Sequence, residues 1–427
     1  MKKSIIILLL GMFVPISVPA QITLDYCLDR AEKNYPLIHK YDLVAKTADL
    51  SLADINKGWL PRINVYGQAT IQNVVPEFPG QLKDILAKLG QDYKGLGYFQ
   101  YKVGVDVSQT IWDGGASKAQ REIERTSSAE QQAALSVRMY AVREKVMNLY
   151  FGILLMDEQI AQAENTIALL KANHTLMQSM KTNGVAMQSD VDMVEAQLLT
   201  MTQQLTGARS AAKSYRDVLS VYIGESLDDK SLVKPEATMP ASLDSDRPEL
   251  ALFNAQNRHN NALNTAVNSS VMPRIGFFAQ SWYGYPGINY FESMMKRDPS
   301  FNLIAGVKIS WNVDAFYTRK NSRRKLTLAG EGIENDREVF LYNTRLQTAA
   351  QTQEIDGIRS VMADDSRIVE LRASVRQAAE SQLRNGVIDA TALLSKITDE
   401  NQALLTARYH EIQLLQNIYK LKNTLNR

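Results

Sequence analysis

The chain has 427 residues, 45% of them hydrophobic and 22% charged, enough to bury a sizeable core. Its 48 Lys and Arg stand against 46 Asp and Glu, a near balance that argues against a nucleic-acid surface. A single cysteine, Cys27, excludes an intrachain disulfide.

The N-terminus has the layout of an export signal. Lys2 and Lys3 precede an apolar stretch over residues 5–14, and Val18-Pro19-Ala20 forms a small-residue cleavage site before Gln21. Residues 1–20 are therefore expected to be removed. Leu24-Asp25-Tyr26 is a poor lipidation context, so Cys27 is expected as a small buried group on the first helix. No other stretch approaches the roughly 18 apolar residues of a membrane-spanning helix. If the mature chain enters a membrane, it does so as a β-barrel.

The first repeat is expected over residues 21–223. It opens with a helix over about 24–57, followed by strands over 62–72 and 98–112. In the second strand Phe99, Tyr101, Val103, Val105, Val107 and Ile111 alternate with Gln100, Lys102, Asp106, Ser108 and Thr110. Asp113-Gly114-Gly115 provides a cap and a turn into a proline-free helix over about 116–182, roughly 100 Å long at 1.5 Å per residue. Asn183-Gly184-Val185 turns the hairpin, and a helix returns over about 188–222. Residues 224–247, with Pro235 and Pro240, form an equatorial linker.

The second repeat, 248–427, restates this plan. A helix over about 249–268 precedes strands over 274–285 and 301–313, and Phe278 and Trp282 interrupt the polar face of the first. A helix over about 317–384 follows, expected to be irregular near Gly330 and Gly332. Asn385-Gly386-Val387 turns it into the last helix. The repeat is quantitative. Pro36, Pro61 and Gln68 map onto Pro248, Pro273 and Gln280 at an offset of 212. Gly104, Ser108 and Asn183-Gly184-Val185 map onto Gly306, Ser310 and Asn385-Gly386-Val387 at an offset of 202. Such self-similarity indicates a repeat architecture.

Amphipathic strands of this length suit a membrane barrel or a soluble antiparallel sheet. Four strands cannot close a barrel, so the membrane reading requires several copies. The four tryptophans, Trp59, Trp112, Trp282 and Trp311, lie in or beside strands, and three sit where strands join helices, as an interfacial girdle would.

The ordered set of Leu60-Pro61-Arg62 and Met272-Pro273-Arg274 before strands, Ile111-Trp112-Asp113-Gly114-Gly115 after one, the two Asn-Gly-Val turns and Arg247-Pro248-Glu249-Leu250 resembles the TolC-like outer-membrane efflux protein family. The resemblance covers essentially the whole mature chain. It implies a mainly α chain with membrane β. Three copies would form a 12-stranded barrel in the outer membrane of a Gram-negative bacterium, continuous with a periplasmic α-helical barrel. The function implied is an exit duct for a tripartite efflux pump, multidrug pumps included, or a type I secretion system. Its partners would be a periplasmic adaptor, an inner-membrane pump and outer-membrane lipid. The family narrows its pore with acids at the hairpin turns. Asp190 matches the first position, but Ala392 and Ser395 stand where the second-half aspartates belong. Asp192 and Asp389 lie close enough to substitute. The opposing reading is that these acids serve as helix caps or first-turn acids.

Catalytic and cofactor-binding patterns are not expected. His39, His174, His259 and His410 lack metal-ligand spacing, and no phosphate-cradling glycine loop occurs. The basic run Arg319–Lys325 suits a solvated helix start or an anionic contact. The competing classes are a periplasmic coiled-coil adaptor and a structural coiled-coil protein. An adaptor would set one hairpin inside a β-rich domain, which this chain lacks.

Overall fold

The structure, a computed structural model, describes residues 22–427 apart from Asp92 and Asp229. The expected signal peptide lies outside the described residues. The element order is α1 (Leu24–Asn34), α2 (Ile38–Lys57), β1 (Arg62–Ile71), α3 (Gly80–Lys88), β2 (Phe99–Trp112), α4 (Ala116–Thr182) and α5 (Gln188–Ile223). There follow α6 (Pro248–Ser270), β3 (Arg274–Tyr285), α7 (Tyr290–Lys296), β4 (Ser300–Ser310), α8 (Ala315–Arg384) and α9 (Ala390–Leu425). The chain divides into two units. One holds the described residues up to Tyr41 with those of Ala134–Ala251 and Arg337–Arg427, and the other holds those of Asp42–Ala133 and Leu252–Asp336.

The first unit is helical. Near the hairpin turns, Leu170 and Met177 of α4, Val191 and Val194 of α5, Leu383 of α8 and Leu393 and Ile397 of α9 form one apolar cluster. A second cluster joins Cys27 and Leu28 of α1 to Val146, Tyr150 and Ile153 of α4, Leu219 of α5 and Ile412 of α9. The linker is tied down over this cluster. Ile22 bridges in parallel to Leu232, and the Tyr150 hydroxyl lies 2.6 Å from the Val233 carbonyl and 2.9 Å from that of Ile22. Its one proton can serve only one of them at a time. Arg216 donates to the Lys230 carbonyl at 2.8 Å and pairs with Asp157 at 2.6 Å. Lys234 pairs with Glu158 at 2.7 Å and Glu411 at 3.0 Å.

The second unit carries a four-stranded antiparallel sheet in the order β1-β2-β3-β4. Beyond its far end the β1–β2 and β3–β4 loops pack on each other. Val75, Leu96, Tyr285 and Met294 form a small core, and the Tyr285 hydroxyl accepts from Gly97 N–H at 2.7 Å. Arg297 donates to the Gly95 carbonyl at 2.8 Å.

Three expectations are corrected. The first helix is two helices, because Pro36 forces Tyr35 into an extended conformation. β4 ends at Ser310 instead of residue 313, because its partner β3 begins at Arg274, just after Pro273, which offers no N–H to extend the ladder. α8 is continuous through Gly330 and Gly332. A Cβ on Gly330 would stand 3.0 Å from Nδ2 of Asn260, which donates to the Leu326 carbonyl at 2.9 Å, so that glycine admits α6 against α8.

Candidate functional site: a two-faced sheet and two hairpin turns

The strand register gathers the odd-numbered residues on one face. Ile63 opposes Val107, Val65 opposes Val105, Val103 opposes Tyr283, and Phe277 opposes Val307. No charged residue lies on this face. It is also bare, with Ile71 83%, Phe301 71% and Val65 70% exposed. The even-numbered residues form the opposite face, where Asn64, Gln68, Gln100, Lys102, Asp106, Ser108 and Gln280 lie. A register shift between Thr110 and Trp112 inserts one residue into β2. The bulge sets Trp112 opposite Ile275 and so brings it to the apolar face, where strict alternation would have put it on the polar one.

Trp59, Trp112 and Trp311 lie at the end of the sheet where strands meet helices: before β1, at the end of β2 and after β4. Trp311 donates its indole N–H to the Val271 carbonyl at 3.0 Å. Trp282 is placed differently. It opposes Gly104 and Asn302 on the polar face, with the Lys102 ammonium 5.7 Å from its ring centre. Alternation from β2 through β3 thus sets Trp282 on the face opposite to the one that Trp112 joins.

The joint after β2 is built by Asp113. Its carboxylate accepts from Gly115 N–H at 2.9 Å and from Ser117 N–H at 2.6 Å, capping α4. Burial pushes the carboxyl up, but these hydrogen bonds outweigh it and hold the group below its ordinary value.

At the hairpin turns, Asn183-Gly184-Val185 and Asn385-Gly386-Val387 share one geometry. Val185 N–H reaches the Met180 carbonyl and Gly184 N–H that of Lys181, both at 2.9 Å. The second turn repeats this with Val387 to Gln382 at 2.9 Å and Gly386 to Leu383 at 3.0 Å. Gly184 and Gly386 hold φ of 75° and 69°, the left-handed conformation this helix end requires. The acids then diverge. Asp190 accepts from Met187 N–H at 2.8 Å, whereas Asp389 is itself the N-cap and accepts from Ala392 N–H at 2.8 Å. Asp192 accepts from the Gln188 side chain and is no cap.

Other motif residues have structural partners. Arg247 pairs with Glu249 and lies over the rings of Tyr140 and Phe340. In the basic run, Arg319 donates to Asn268 at 2.8 Å and Arg324 lies 3.8 Å from Glu331. His410 lies 2.8 Å from Asp365, and His259 lies 3.1 Å from the Thr126 hydroxyl. Among the described residues, no three His, Cys, Asp or Glu side chains are grouped to hold a metal ion. No helix among them is long and apolar enough to cross a membrane.

Two strand pairs in one two-faced sheet, each followed by a long helical hairpin, define a chain with the fold of bacterial outer-membrane channels. The similar solved structures include the channel CusC, at 13% identity and a TM-score of 0.69 over 95% of this chain and 92% of that one. VceC of Vibrio cholerae matches at 10% identity and 0.68, over 94% and 95%. MtrE of Neisseria gonorrhoeae matches at 13% and 0.67, over 94% and 88%. Residues 30–225 match the family described as outer membrane efflux protein. No protein of curated function matches it in sequence.

Proposed function

We propose that this chain is one protomer of an outer-membrane exit duct, passing substrates from an inner-membrane transporter across the periplasm and outer membrane. The observation that carries this reading is the exposed, charge-free face of the sheet, backed by a polar face. Strands of 10 to 14 residues can cross a bilayer at a tilt. The free edges of β1 and β4 would leave backbone N–H and C=O groups unpaired in lipid, at several kcal/mol each. Pairing β4 of one copy with β1 of the next removes both edges, and three copies give twelve strands, an even number within the range of membrane barrels.

On this reading the apolar face meets lipid, the polar face lines the lumen, and Trp59, Trp112 and Trp311 sit at the periplasmic interface. The hairpins form the periplasmic tunnel, and their turns meet a periplasmic adaptor and pump of a Gram-negative cell. Asp192, which caps nothing, is the acid best placed to narrow the tip. The family match disfavours a non-channel adaptor. The test is fractionation: the chain is expected in outer-membrane extracts as a heat-labile trimer that forms pores in planar bilayers. Recovery in the soluble periplasm after osmotic shock would overturn the proposal.

A further inference from the structure

The polar face of the sheet is not merely polar. Across all four strands its charged residues are Arg62, Lys102, Arg274 and Lys308, against the single acid Asp106. Three of these cations converge at the helix-side end. Arg62 opposes Ser108, Arg274 opposes Ser310, and Lys308 opposes Gly276, whose other neighbour is Thr110. Arg62, Arg274 and Lys308 line one cavity of about 190 Å³ together with Ser108, Thr110 and Ser310. No carboxylate lines this cavity; Asp113 lines the adjoining one with Arg62 and Arg274, but its oxygens accept from Gly115 and Ser117 N–H. Lys102 lies further along the same face, its ammonium 5.6 Å from the Tyr66 ring centre and 5.7 Å from that of Trp282.

We infer that this face carries an oxyanion-binding belt that gives the duct an anion preference and fits it to cargo bearing carboxylate, phosphate or sulfonate groups. The inference rests on the polar face lining the lumen. Guanidinium groups are strong oxyanion donors, offering paired N–H groups in a fixed fork. The hydroxyls of Ser108, Thr110 and Ser310 beside them add neutral donors. Closing the sheet with further copies repeats the belt around the lumen, and a ring of Arg and Lys selects anions as a ring of acids selects cations. A confined channel with low-dielectric walls also focuses that field. The sign is opposite to the cation preference that acids at the hairpin turns would impose, so the barrel and the tip would act as separate filters.

The test uses the full trimeric protein in planar bilayers of neutral phosphatidylcholine, so that no lipid phosphate-ester anion of net charge competes for the belt. Under a KCl gradient, wild type is expected to pass chloride in preference to potassium, and lumenal tripolyphosphate to block it. The combined variant Arg62→Gln, Arg274→Gln, Lys308→Gln is expected to shift the reversal potential toward potassium and to need a several-fold higher tripolyphosphate concentration for block. Lys308→Gln alone is expected to do part of this, which keeps the test decisive if the combined variant does not assemble. An unchanged reversal potential in a correctly trimeric variant, or tripolyphosphate block that the variant does not weaken, would overturn the belt while leaving the duct intact. Trimeric protein that forms no pore at all would overturn the duct and the belt with it.

Discussion

Asp190 reaches back to the backbone N–H of Met187 at 2.8 Å, closing the first hairpin from the third position of α5. At the second hairpin the acid has moved to the cap itself, and Asp389 reaches forward to Ala392 N–H at the same distance. Each turn thus uses one half of a reciprocal capping pair, and a different half. Asp190→Ala and Asp389→Ala should each cost about 1 kcal/mol of local stability. The readout is faster amide hydrogen exchange in the first turn of α5 or α9. Adding Met187→Asp to Asp190→Ala copies the second turn's solution onto the first and should restore protection. Asp190→Asn keeps an acceptor and removes the charge; unchanged single-channel conductance and ion preference would exclude Asp190 from the gate.

Gly114 and Gly115 both have positive φ, 69° and 87°, but differ in surroundings. A Cβ on Gly114 would stand 2.5 Å from Met272 Cβ and 3.1 Å from the Pro273 carbonyl oxygen, whereas one on Gly115 would meet nothing within 4 Å. Gly115→Ala should cost the left-handed strain alone, about 1–2 kcal/mol. Gly114→Ala adds a clash with backbone that cannot yield cheaply. The yield of folded protein should therefore fall far more for Gly114→Ala than for Gly115→Ala.

Acid should loosen the protein through two depressed carboxyls. Asp113 is held low by its hydrogen bonds from Ser117 and Gly115 against the opposing effect of burial. Glu411 is likewise lowered, burial being outweighed by Lys234 and Arg408. A carboxyl with a depressed folded value stabilises fully above its ordinary range and loses that contribution as pH falls through the folded value. Thermal resistance of the protein should therefore hold at neutral pH and decline below about pH 4. Asp113→Asn and Glu411→Gln should each lower the neutral-pH value and flatten the decline.

Cys27 is fully buried against α4, and burial pushes its thiol up to about 12. The thiolate is the reactive form, so maleimide at pH 7 to 8 should leave Cys27 unlabelled in the folded protein. Labelling should appear only after denaturation. Rapid labelling of the native protein would show that α1 detaches from α4 in solution.

The long elements were legible because a long strand or a long helix repeats one physical rule many times. Period-two alternation located β2 to within a residue of its observed start, and the absence of proline marked out α4 and α8. What alternation could not carry was any break in its own count. The bulge beside Ile111 is such a break, and it moves Trp112 to the apolar side without altering the residue pattern. Trp282 shows the converse: residue type groups it with the other tryptophans, while strand parity puts its ring on the polar face. Pro36 was visible as a residue, but its effect on α1 and α2 was hidden by apolar spacing that continues across it. The cationic belt needed the strand register, because Arg62, Arg274 and Lys308 are scattered in sequence and meet only across four strands.

The return arms α5 (Gln188–Ile223) and α9 (Ala390–Leu425) are 36 residues each, and every residue of one maps onto the other at the offset that also relates the two turns. Length is therefore a shared property of the two hairpins. Removing two heptads from both arms of one hairpin alone would lift its turn about 21 Å from its neighbour's, at 1.5 Å per residue. The apolar cluster that joins α4, α5, α8 and α9 near the turns would be split by that step. The same deletion made in both hairpins would shorten the helical unit and keep the turns level, so the reach of this protein can change only in matched increments.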